Sequence, residues 1–115
     1  MLKDVFMILW VDDIRTPPTQ VNYRVVHSVN EAKQAIEEFE KAQELGRLCD
    51  DAEIEWIDMD HDAGDFYSLG GDYIKLLDWL EERGSCYPIR IHSMNPVGVE
   101  NMRVIIRRNN WKEIV

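Results

Sequence analysis

Apolar and polar positions fall into blocks that change period along the chain. Val5 to Val11 is an almost wholly apolar run, the pattern of a strand buried on both faces in a parallel sheet. Tyr23 to His27, Ile54 to Met59 and Pro88 to Ile91 are shorter β-type stretches. Between them the period becomes helical. Ser28-Val29-Asn30-Glu31 fits a capping box. The helix behind it places Ala32, Ala35, Ile36 and Phe39 on one stripe, and Gly46 is a suitable stop. Gly70-Gly71 breaks the chain before a second helix that carries Tyr73, Leu76, Leu77 and Leu80 and ends near Gly84. Asn95-Pro96 opens a third, with Asn as cap and Pro at the first position. Its core side is Met102, Ile105 and Ile106, and Arg107-Arg108 complement its negative end. Trp111 to Val115 reads as a last strand or a docked tail. Thr16-Pro17-Pro18-Thr19 excludes helix interior, because proline lacks the N–H donor. The connection between the first two strands is thus short, and its crossover helix lost or reduced. Strands alternating with helices predict one α/β domain over residues 1–115, with a central parallel sheet of four or five strands covered on both faces.

Each of three apolar runs ends in a polar cluster. Asp12-Asp13-Ile14-Arg15 follows the first, Asp58-Met59-Asp60-His61-Asp62-Ala63-Gly64 closes the second, and His92-Ser93-Met94-Asn95-Pro96 follows the third. In neighbouring parallel strands all three lie along the edge where open α/β sheets bind ligands. Asp12, Asp60 and His92 are therefore expected to converge on one pocket.

With 13 basic and 22 acidic residues the formal charge is −9. This excludes a broad nucleic-acid-binding surface, which depends on Lys and Arg displacing counterions. Recognition of a single phosphate at a nucleic-acid end is still compatible with it. Glu37, Glu38, Glu40 and Glu44 read as a solvated helix face. Cys49 and Cys86 have no metal-site spacing and read as reduced thiols. The first apolar run is too short for a membrane span. These features predict a cytoplasmic protein.

Adjacent carboxylates at a strand end suit a hard divalent cation, magnesium or manganese, and Asp12, Asp13, Asp60 and Asp62 are the candidate ligands. Asp12-Asp13 before Thr-Pro-Pro also suits a plain turn. Asp58 would be a carboxylate inside the sheet and needs a cation or an Arg. Asp72 is equally explained by the helix start. His61 and His92 are candidate proton carriers beside Asp60, while His27 reads as structural. Arg15 suits a phosphate clamp or an ion pair with Asp13. Ser93, Asn95 and the start of the Pro96 helix suit an anion. A phosphoester fits this inventory.

Asp12-Asp13, Asp60 and Ser93 resemble the acidic pair, phosphorylatable Asp and Ser/Thr of response-regulator receiver domains. Lys112 lies near the position of the receiver Lys without ending a buried strand. A closer resemblance is to the cyclic-phosphate processing receiver domains. It is carried by Asp12-Asp13-Ile14-Arg15-Thr16-Pro17-Pro18, by Asp60-His61-Asp62-Ala63-Gly64, and by His92-Ser93-Met94-Asn95-Pro96-Val97-Gly98 with Asn101-Met102. The resemblance implies a receiver-like (flavodoxin-like) three-layer sandwich acting on, or binding, a cyclic phosphate on a small molecule or an RNA end, with a genomic association with RNA repair and conflict systems. Asp60, His61 and His92 are then catalytic, and Arg15, Ser93, Asn95, Gly98 and Asn101 bind substrate. The alternatives are a degenerate receiver phosphorylated at Asp60 and a non-catalytic cyclic-nucleotide binder.

Overall fold

The computed structural model describes residues 5–19, 22–44 and 52–115. Gly46 and Cys49 lie outside them. The elements run β1 (Val5–Val11), β2 (Tyr23–Val26), α1 (Val29–Glu44), β3 (Ala52–Met59), α2 (Ile74–Arg83), β4 (Ile89–Ile91) and α3 (Pro96–Arg108). A 3₁₀ turn, Gly64–Phe66, precedes α2. The strands form one sheet in the order β2-β1-β3-β4, with every pair parallel. This is the flavodoxin-type, receiver-like α/β fold predicted from the alternating pattern. After α3, Trp111 is buried and Glu113 forms an isolated parallel bridge with Ile89. The tail is docked as a one-bridge remnant of a fifth strand.

Local chemistry places the ends of these elements. Ser28 Oγ accepts the Glu31 amide, as a capping box requires. The Glu31 carboxylate reaches one residue further back, to the amide of His27, and ties the end of β2 to the first turn of α1. Gly84 closes α2 in the left-handed conformation (φ 70°). Asn95 caps α3 through Gly98 N, with Pro96 at the start.

The crossovers decide which face holds the core. β2 to β3 and β3 to β4 advance in the same direction across the sheet. Right-handed crossovers then put α1 and α2 on one face, and α3 packs beside α2. Leu9, Val11, Val26, Ile57, Met59 and Ile89 meet the apolar stripes of all three helices in a single core. The β1–β2 connection runs the opposite way and carries the two prolines. No helix appears in it among the described residues, so none builds the third layer expected from the sequence. The second face of the sheet instead carries Ile8, Trp10 and a set of charged residues.

The same reversal makes a topological switch point between β1 and β3. Ligands bind open α/β sheets at such a crevice, beyond the carboxyl ends of the strands.

Candidate functional site

The residue following each of β1, β3 and β4 is pinned by one more ladder bond. Asp12 N donates to Val26 O (3.2 Å), Asp60 N to Val11 O (3.0 Å) and His92 N to Met59 O (2.9 Å). These three side chains therefore leave the sheet edge at equivalent positions, and the expected convergence is observed. Oxygens of Asp12, Asp13 and Asp60 lie within 4.8 Å of one another. Asp12 Oδ2 is 2.7 Å from His92 Nε2.

His92 is bound on both sides. Its Nδ1 lies 2.6 Å from Asp58 Oδ1, opposite the contact with Asp12. A ring with both nitrogens facing carboxylates donates from both only as the imidazolium. Trp10 stacks on it, ring centroids 4.1 Å apart and planes 10° from parallel. Strand parity explains the assembly. Trp10, Asp58 and Arg90 are register partners across β1, β3 and β4, on the face without helices. Two residues on, on the same side, stand Asp12, Asp60 and His92. Arg90 Nη1 approaches both Asp58 oxygens (3.2 and 3.3 Å), and Trp56 Nε1 donates to Oδ2 (3.1 Å). Asp58 thus has the Arg that its burial demanded, and an imidazolium as well.

Charge follows geometry. Burial alone would lift the Asp12 carboxyl, but the bonds from Arg15 N, His92 and Ile14 N outweigh it and hold it below its ordinary value. Burial of Asp58 is likewise outweighed, by His92, Trp56 and Arg90. Burial would lower His92, yet its two carboxylates keep it above its ordinary value. Asp13 moves the other way. Burial raises it first, and the nearby Asp12 and Asp60 raise it further. Three oxygen-donor acids with an excess of negative charge fit a hard divalent cation. Both Asp12 oxygens already accept protein hydrogen bonds, Oδ1 from the Ile14 and Arg15 amides. Asp60 Oδ1 accepts from His61 N.

Asp62 does not join this group. It lies with His61 and Asp72, whose ligand atoms form a second set within 4.8 Å. His61 Nδ1 is 2.9 Å from Asp62 Oδ1, and Asn95 Nδ2 approaches both Asp62 oxygens. Asp72 Oδ1 accepts the Ala63 amide, closing the loop. Two glycines permit these contacts. A Cβ on Gly98 would stand 2.5 Å from His61 Cγ, and one on Gly64 would stand 2.3 Å from Asp13 Oδ2. Gly64 also has φ +54°.

The remaining candidates take local roles. Arg15 Nη1 donates to His92 O (2.8 Å) rather than to Asp13, and so joins the first and third clusters. Ser93 Oγ accepts the Asn95 amide. The α3 start offers little to an anion, since Pro96 has no N–H and Asn95 Oδ1 takes Gly98 N. Asn101 is exposed on α3. His27 is structural: its carbonyl accepts from Tyr73 Oη and its Nδ1 meets Asp12 O. Lys112 is exposed, and its carbonyl meets Ile89 at the amino end of β4, away from the acidic edge.

Trp10, Trp56, Arg90, Gly64 and Tyr73 belong to the site without being among the residues expected there from the sequence. The signal for the first three was parity, each lying two residues before a site residue on its own strand. Tyr73 reads as core in any helical stripe. Its hydroxyl is pushed up by burial and by the charges of Asp13, Asp12, Asp60 and Asp72, so it stays a donor beneath the site.

No helix among the described residues is long and apolar enough to cross a membrane. No curated protein and no solved structure matches the chain. A family model, that of the cyclic-phosphate processing receiver domain, matches residues 7–108. That span contains all three polar clusters, most of β1 and every element from β2 to α3, and the chain belongs to this family of receiver domains.

Proposed function

We propose that the protein binds a cyclic phosphate ester at the carboxyl edge of its sheet and opens the ring by hydrolysis. The family's processing role supports the substrate class. The observation that carries the hydrolytic reading is the difference between the two imidazoles. Both ring nitrogens of His92 are committed to buried carboxylates. His61 has Nδ1 held by Asp62, while its Nε2 makes no hydrogen bond among the described residues. An imidazole oriented by a carboxylate through one nitrogen, with the other uncommitted, is suited to take a proton from water. The water oxygen bonds to phosphorus, the ring P–O bond breaks, and the released oxygen takes up a proton. The product is a phosphomonoester of the same molecule.

In this reading His92 acts as a fixed cation that holds Asp12 in place, and the proton transfer expected of it passes to His61. Arg15, Ser93 and Asn95 line the approach to the phosphate, with Gly98 keeping room for His61. Asp12, Asp13 and Asp60 would hold magnesium or manganese, which when bound neutralises non-bridging phosphate oxygens.

The test is product release from 2′,3′- and 3′,5′-cyclic nucleotides with either metal. His61→Ala should lower turnover by about 10²–10⁴-fold, the usual worth of a positioned acid–base group, while substrate binding persists. Absence of turnover in any metal would remove the hydrolytic step, and calorimetric binding without turnover would leave a binding protein. Asp60 beside the acidic pair also favours a second reading, phosphorylation of Asp60. A small phosphodonor should then label the wild type and not Asp60→Asn. The place of Lys112 at the opposite end of β4 weighs against it.

A further inference from the structure

Seven large hydrophobic residues are exposed among those described, and five of them lie in the segments that leave the carboxyl ends of β1, β3 and β4. They are Ile14 (83%), Tyr67 (60%), Leu69 (47%), Met94 (81%) and Val97 (71%). Scattered exposed apolar residues need no explanation, but a set confined to the loops and the helix start around one site does.

The contacts tie four of them to the acidic centre. Ile14 follows Asp13, and its amide is held by Asp12 Oδ1. Tyr67 N bonds to Gly64 O, and Gly64 is the residue against which the Asp13 carboxylate lies. Phe66, next to Tyr67, stacks with His27 at a centroid distance of 5.4 Å and gives that side an aromatic footing. Met94 sits between Ser93 and Asn95, and the Arg15–His92 bond holds its loop to the loop of Ile14. Val97 adjoins Gly98, on which His61 packs.

We propose that this rim is a shelf for the base of a nucleoside cyclic phosphate, with Tyr67 as its stacking platform and Ile14 and Met94 as its apolar sides. The inference rests on the cyclic-phosphate reading above and specifies the substrate's second half. A cyclic phosphodiester carries one negative charge and little surface. It meets a chain of net charge −9 and a centre of three carboxylates. The carboxylates repel the phosphate directly, and a cation held by them would offset only that repulsion at the phosphate itself, so uncharged contacts beside the phosphate are the remaining source of affinity. Base stacking on an exposed aromatic provides such contacts and tolerates any base.

The experiment compares, by calorimetry in magnesium, the four nucleoside 2′,3′-cyclic phosphates with base-free methyl riboside 2,3-cyclic phosphate. Nucleosides should bind about tenfold tighter than the base-free compound. Tyr67→Ala should remove most of that advantage, and Tyr67→Phe should keep it. Met94→Ser should reduce it several-fold, and all three variants should bind the base-free compound like wild type. These positions are exposed, so the substitutions leave the core intact. A short single-stranded oligoribonucleotide with the same terminal group tells an RNA end from a free nucleotide as the source, and tight binding of either supports the shelf. Equal affinity for nucleoside and base-free compounds overturns the shelf while leaving the cyclic-phosphate reading in place. Tyr67→Ala that binds nucleosides as wild type does, or that disrupts only self-association in sedimentation, also overturns it, the latter in favour of a protein interface. Failure of every cyclic phosphate to bind removes the underlying reading and the shelf with it.

Discussion

Asp12 and Asp58 meet the His92 imidazole from opposite sides, and each is held charged in its buried position by that contact together with its other donors, the Ile14 and Arg15 amides for Asp12 and Arg90 and Trp56 for Asp58. Removing one partner leaves the others uncompensated, a loss of about 3–5 kcal/mol for a buried ion pair. Asp58→Ala should therefore lower the stability measured by urea unfolding by about that amount, although Asp58 lies outside the set of candidate metal ligands. Gly98 raises a different question at the same scale. Alanine is the better helix former by about 1 kcal/mol. Its Cβ, however, would enter the His61 ring position, and overpacking costs about 1–3 kcal/mol. Gly98→Ala should fold with stability lowered by up to about 2 kcal/mol. The His61 resonances should shift and turnover should fall. An unshifted His61 in the NMR spectrum would mean that the glycine serves the helix alone.

At the scale of elements, α3 is held at its start by Asn95, whose amide group also reaches Asp62. Asn95→Ala should cost about 1 kcal/mol as a lost cap. It should also loosen the His61–Asp62 pair, so activity should fall by more than the stability loss explains. Asn95→Asp restores the cap but sets a second negative charge beside Asp62, so it should rescue stability and not activity. β3 contributes a subtler device. Met7 pairs with Ile54, but Ile8 pairs with Trp56, so Glu55 is an extra residue in the ladder. A bulge of one residue exchanges the faces of the side chains on either side of it. Ile54 thereby packs on the helix-side core, while Trp56 and Asp58 face the other way, into the His92 network.

For the whole molecule, pH and metal act on the same cluster. His92 is held above 6.5, so the folded protein keeps this proton more tightly than the unfolded chain does. Its contribution is complete below 6.5 and disappears as pH rises through the folded value. Asp12 and Asp58 are held below 3.8, so their contributions are complete above 3.8 and are lost as pH falls through the folded values. The network is therefore most stabilising between 3.8 and 6.5. Urea midpoints should fall on both sides of that window, and the alkaline fall should vanish in His92→Gln. Asp13 behaves oppositely, because its raised value penalises the ionised form. A divalent cation held by Asp12, Asp13 and Asp60 would relieve that penalty. Manganese at a hundredfold excess over its Kd should raise stability by about 2.7 kcal/mol, and Asp13→Asn should abolish most of the gain.

Much of this was legible in the sequence because it depends on neighbours along the chain. The strand runs, the Ser28 and Asn95 caps, the Gly84 stop and the bar to a helix at Pro17-Pro18 are local matters of sterics and hydrogen-bond supply. The placing of the three clusters at strand ends follows from them, as does the need of Asp58 for a cation or an Arg. The tertiary structure alone decided who meets whom. His92 reaches Asp12 across 80 positions of sequence. Its second carboxylate and its stacking partner Trp10 depend on a register that the bulge at Glu55 resets. That register is a cooperative property of three strands, and no stretch of one strand contains it.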